Sequence, residues 1–149
     1  MKCRKSTGIV LLSTLCLVVV ITAVEASKAS TGIVSKSDLA GSWQMTIVGQ
    51  TGCGFGTQVY NFSLNASGSS SSVTGTSHTS GCGDTSISGD TFTIQSLSSN
   101  GSGTANLTCG SGCGWNLNIQ VSPERSSFNV VDVSSANPGN FIEGTAVHQ

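Results

Sequence analysis

From Asp38 to Gln149, apolar and polar side chains alternate with a period of two, and clusters of Gly, Ser and Asn interrupt the runs. The clearest run is Trp115-Asn116-Leu117-Asn118-Ile119-Gln120-Val121-Ser122, where apolar and polar residues take strict turns. A ribbon of this kind buries one face and wets the other. Trp43, Met45 and Ile47 behave likewise against Ser42, Gln44 and Thr46, as do Tyr60, Phe62 and Leu64 against Asn61 and Ser63. With the weaker segments, the pattern predicts eight strands near 41–48, 57–65, 71–78, 86–97, 103–109, 114–122, 127–134 and 140–148. No window shows helical spacing, so the fold class is all-β. Gly-Cys-Gly recurs at 52–54, 81–83 and 112–114. Short connections make sequential strands neighbours, which predicts an antiparallel meander.

Turn centres set the registers. A turn on Ser67-Gly68 places Phe62 opposite Val73 and Cys53 opposite Cys82; one on Ser111 pairs Leu107 with Trp115, Ala105 with Leu117, and Cys109 with Cys113. A turn on Asn100-Gly101 sets Ile94 opposite Leu107, and one through 123–126 sets Val121 against Phe128 and Ile119 against Val130. Opposed residues of an antiparallel pair lie roughly 4.5–5.5 Å apart at Cα, within disulfide reach. The expected bonds are therefore Cys53–Cys82 and Cys109–Cys113. Asp132 continues the inward parity of Phe128 and Val130, so its strand either contains a bulge or buries a carboxylate.

The N-terminus has a different texture. Lys2, Arg4 and Lys5 precede a stretch from Ile9 to Val24 that is apolar apart from Ser13, Thr14 and Thr22, the layout of a secretory signal. Val24-Glu25-Ala26 predicts cleavage after Ala26, giving a signal over 1–26, a flexible tether over 27–37 and a domain over 38–149. A retained membrane anchor is the rival reading of the same apolar run. Export is to the periplasm or the exterior, where an even set of four cysteines favours disulfides. The Cys109-x3-Cys113 spacing also allows zinc, but the registers favour the disulfide and no metal.

After Ala26 three cations (Lys28, Lys36, Arg125) face six anions (Asp38, Asp84, Asp90, Glu124, Asp132, Glu143), a net charge of −3. With Arg125 alone among the cations inside the patterned region, phosphate neutralisation has too little to work with, which excludes nucleic acid as a partner. Catalytic groups are equally sparse. The histidines are His78 and His148, no recognisable catalytic motif is present, and Asp84 and Asp90 read as turn residues beside glycines rather than an acid–base pair. Neither an enzyme nor a cofactor is expected. Asn61, Asn65, Asn100 and Asn106 stand in glycosylation-acceptor form.

Leu39-Ala40-Gly41-Ser42-Trp43 opens the first strand, and here the chain resembles the calycin group of lipocalins, fatty-acid-binding proteins and avidins. Members of that group commonly start an up-and-down barrel with Gly-x-Trp, and in lipocalins this Trp closes one end. The resemblance and the strand count imply an eight-stranded antiparallel meander barrel, just wide enough to be filled by its side chains or to hold one small ligand. Trp43, Tyr60, Phe62, Phe92, Trp115 and Phe128 have inward parity, and small residues at Ser71, Gly75, Gly103, Ala105 and Gly144 face bulky ones, which leaves room for a void. The leading expectation is a secreted or periplasmic barrel that binds a small, mostly apolar molecule against these six aromatics and Asp132. The alternative is a structural or surface-interaction domain with a filled core, meeting protein or sugar partners through Ser/Thr/Asn-rich loops.

Overall fold

The computed structural model describes residues 32–110, 114–134 and 139–149. The expected signal, its cleavage point and Cys113 lie outside the described residues. Eight strands follow in order: β1 (Gly41–Thr51), β2 (Gly54–Leu64), β3 (Ser69–Thr79), β4 (Gly83–Leu97), β5 (Ser102–Thr108), β6 (Gly114–Val121), β7 (Ser127–Asp132) and β8 (Phe141–His148). Each pairs with its sequence neighbours, and β1 pairs with β8, closing an antiparallel up-and-down barrel. Among the described residues, every strand is thus paired on both sides over part of its length.

Three of the four registers stand as expected. The β2–β3 ladder sets Gly56 opposite Thr79 and Asn61 opposite Thr74, and the same count brings Cys53 to Cys82, disulfide-bonded at a Cα separation of 5.3 Å. In β5–β6, Leu107 faces Trp115 and Ala105 faces Leu117; in β6–β7, Val121 faces Phe128 and Ile119 faces Val130. Cys109 is disulfide-bonded as well.

The fourth register differs. Phe92, not Ile94, stands opposite Leu107, and Ile94 faces Ala105. The turn is one residue longer than Asn100-Gly101 alone: Ser98 N–H donates to Ser102 O at 2.8 Å, and Gly101 takes the left-handed conformation (φ 84°) that ends a three-residue hairpin loop. A bulge between Ile94 and Ser96 adds a further slip. The Lys36 ammonium donates to the carbonyls at this bulge, Ile94 O at 2.6 Å and Gln95 O at 3.0 Å.

That lysine belongs to a segment read from sequence as part of the tether. Instead, Val34 is buried with its N–H on Ser99 O at 3.1 Å, and Lys36–Leu39 forms a single 3₁₀ turn across one end of the barrel. Leu39 plugs that end, and its carbonyl accepts the Trp43 Nε1–H at 2.8 Å. Ser35 N–H and Oγ–H both donate to Asp38 Oδ2 at 2.9 Å, and Arg125 pairs with the same oxygen at 3.4 Å while donating to Ile33 O. Arg125 itself adopts φ 59°, a conformation costing roughly 1–2 kcal/mol for a side-chain-bearing residue.

Two opposed bulges in β3–β4 matter for the interior. From Ser70↔Phe92 to Val73↔Asp90, β3 spends three residues against two; from Val73↔Asp90 to Gly75↔Ile87, β4 spends three against two. The first turns Ser71 out to solvent, against its expected inward parity. The second, at Gly89 (φ 76°), keeps Asp90 and Ile87 both on the inner side. A Cβ on Gly75 or Gly144 would strike the neighbouring strand's backbone, Val59 O or Thr46 O, so neither position has room for a side chain. These glycines mark close strand approach in a tightly coiled sheet.

Candidate ligand-binding site

The interior divides into two halves. Toward the 3₁₀ turn, rings fill the barrel: Trp43 and Phe128 centroids lie 4.8 Å apart, Phe62 and Phe92 5.0 Å, and Phe92 and Phe128 5.9 Å. Met45, Leu64, Ile94, Val121 and Val130 close the gaps, all buried. Toward the other end, the inward positions change character. Gln58, Ser77, Thr79 and Thr85 border open space there.

The result is a cavity of about 500 Å³, lined by these residues together with Tyr60, Asp90 and Trp115. This is the size of a small-molecule site. The mouth is bounded by Thr51 to Cys53 of the β1–β2 turn, by Cys109 and Gly114, and by Asn140. The Cys53–Cys82 bond staples the β1–β2 turn to the β3–β4 turn at this same end.

Asp90 is the charged group of the lining, and it is 6% exposed. Its Oδ1 accepts the Gly110 N–H at 3.0 Å, tying β4 to the β5–β6 turn. Tyr60 donates its hydroxyl to Gln58 Oε1 at 2.7 Å. Burial first, and the Asp90 carboxylate second, push the Tyr60 phenol well above its ordinary value of 10.0, so it stays neutral through the physiological range.

Of the residues singled out by sequence, Tyr60 and Trp115 line this cavity. Trp43, Phe62, Phe92 and Phe128 are buried as their parity requires, in the filled half. Asp132 keeps inward parity opposite Leu117 with no bulge in its strand, and sits half-buried at the strand end, its Oδ1 accepting the Ser134 N–H at 2.8 Å. It does not line the cavity. The inward carboxylate in the cavity is Asp90, which beside Gly89 has the look of a turn residue. A signal was present: Asp90 shares parity with Phe92 and Ile94. Asp84, its suggested partner, points outward and contacts His78 Nδ1 at 2.5 Å, both side chains largely exposed, so the two carboxylates share no site.

A larger depression, about 880 Å³, runs along the outside where β2 and β3 separate beyond Asn61↔Thr74. It is a serine-rich trough bordered by Ser42, Ser63, Ser71 and Ser72, with no ionisable side chain among the described residues that line it. The interior cavity is the better site, since it excludes more solvent and contains a buried charge. Comparison of the chain with protein-family models, with curated proteins and with solved structures finds no match in any of the three.

Proposed function

We propose that the domain is an exported, calycin-like binding module of the lipocalin and avidin type, holding one small molecule in the hollow half of its barrel. The observation that carries this reading is the change of lining at constant architecture: a barrel wide enough to be filled is filled over one half only. The cavity also revises the expected chemistry. Hydroxyl, amide and carboxylate groups share it with two aromatic rings, which favours an amphipathic ligand over a mostly apolar one. The disulfide at the mouth fits folding in an oxidising compartment.

Titration of a small-molecule panel tests the reading through melting temperature and tryptophan emission. A ligand at about 100 times its Kd stabilises by roughly 2.7 kcal/mol, several degrees in a domain of this size. Unchanged melting and unchanged emission across polar, apolar and charged members of the panel would sink it.

A second reading rests on the outer wall. Phe55 and Phe141, each 54% exposed, flank Gln50 of β1 from either side, and Val131 of β7 and Val133 just past its end are each 50% exposed. Such apolar residues on an otherwise hydroxyl-rich wall favour a surface-interaction role. Concentration-dependent self-association or partner capture abolished by Phe55→Ser with Phe141→Ser, with ligand titrations silent, would favour it.

A further inference from the structure

A ligand in the hollow half must contend with Asp90. Among the described residues, the Gly110 N–H is its one hydrogen-bond donor, and it serves a single oxygen; Oδ2 has no protein donor. Among the described residues, no Lys, Arg or His lines the cavity. The described cations are engaged elsewhere: Lys36 on the β4 carbonyls and Arg125 on Asp38 and Ile33, both at the closed end. His148 packs edge-on against Trp43 at that end, and His78 pairs with Asp84 on the outer wall. Asp132 and Glu143, the acids of β7 and β8, lie outside the cavity lining. Tyr60 cannot serve as donor to Asp90 while its hydroxyl proton lies on Gln58.

A carboxylate held at low exposure with one donor is costly, and the cost falls when a partner brings opposite charge and further N–H groups. Tyr60 and Trp115 line the same space, and aromatic faces attract cations. The net negative charge of the chain after Ala26 draws in positive solutes rather than negative ones.

We infer that the ligand is a small organic cation, a primary or secondary ammonium on a ring or short hydrocarbon body, whose N–H groups donate to Asp90 while its apolar part lies against Tyr60 and Trp115. This rests on the binding-module reading and names the ligand class of that site. A neutral polyhydroxylated ligand would use the Ser and Thr hydroxyls and be indifferent to the charge at Asp90.

The test is calorimetric titration of the whole protein at neutral pH and low salt with three probes of one shape: 2-phenylethylamine, 2-phenylethanol and phenylacetate. The amine is expected to bind about 10-fold or more tightly than the alcohol, as a charge-assisted hydrogen bond implies, and the acid not measurably. Asp90→Asn keeps an oxygen for the Gly110 N–H and removes the charge. It should leave the unliganded melting temperature nearly unchanged and bring amine and alcohol within about threefold of each other. Equal binding of amine and alcohol by the unaltered protein overturns the inference, as does an amine preference that survives Asp90→Asn. If neutral molecules outside this set bind and no ammonium compound does, the cation assignment fails while the binding module stands. If nothing in a broad panel binds, both fall.

Discussion

At the end capped by Lys36–Leu39, inward positions carry Trp43, Phe62, Phe92 and Phe128, packed ring on ring, with Leu39 sealing the opening. At the other end the same strands, with the same alternation, turn Gln58, Ser77, Thr79, Thr85 and Asp90 inward, around about 500 Å³ of space. Every strand is laddered to two neighbours, so the sheet closes around both halves, although β2 and β3 part beyond Asn61↔Thr74 at the capped end. The halves therefore differ in what their side chains do. Rings in van der Waals contact supply hydrophobic stabilisation, whereas short hydroxyls facing a void contribute little to the core and leave hydrogen-bonding groups for something else to satisfy.

The division is most open to attack through core truncation. Phe92→Ala, in the filled half, should cost about 3–5 kcal/mol in urea denaturation, and Ser77→Ala in the hollow half under about 1 kcal/mol. Similar costs would mean that the hollow half is packed as tightly as the other.

Next comes the staple. Replacing Cys53 and Cys82 by Ala should lose about 3–4 kcal/mol, because the bond closes a loop with a sequence separation of 29. Iodide quenching sharpens the result: Trp115, beside the mouth, should become more accessible while Trp43 does not. An equal rise at both would show that the halves are not independent.

A smaller effect is expected from alkali. The chain has one tyrosine, so its ionisation can be followed alone. Because folding raises the Tyr60 pKa above its unfolded value, the stability it contributes is complete below pH 10.0 and is lost as pH rises through the folded value. Stability should fall as pH rises above 10.0, tyrosinate absorbance should accompany unfolding, and Tyr60→Phe should flatten the slope. An unchanged slope in the variant would place the phenol in water.

The smallest lies at the capped end and has the opposite sign. The Ser35 backbone and hydroxyl bonds, with Arg125 adding attraction, hold the Asp38 carboxyl below its ordinary value of 3.8. Its contribution is present above that value and is lost as pH falls through the folded one. Asp38→Asn should shallow the acid limb of a stability–pH curve without changing ligand binding at the far end.

The reach of the sequence is best seen by setting β6 against β4. In β6 every odd residue from Trp115 to Val121 is apolar and buried, and neither neighbouring ladder slips, so parity alone orients all eight residues. In β4, extra residues at Gly89 and Gln95 reset the parity twice, and an inner carboxylate looks like part of a turn. The Asn100-Gly101 hairpin misleads for a related reason: two- and three-residue loops share a glycine, and one residue shifts the ladder.

Period-two alternation and turn residues are local properties of the chain. They were enough to determine eight strands, their meander order and the meeting of Cys53 with Cys82, because each hairpin is completed by its immediate neighbours. Where the barrel is full and where it is hollow, and which acid faces inward, depend on bulges and on side chains from β2, β3, β4 and β6 converging on one axis. No single segment carries that information, so it came only with closure of the sheet.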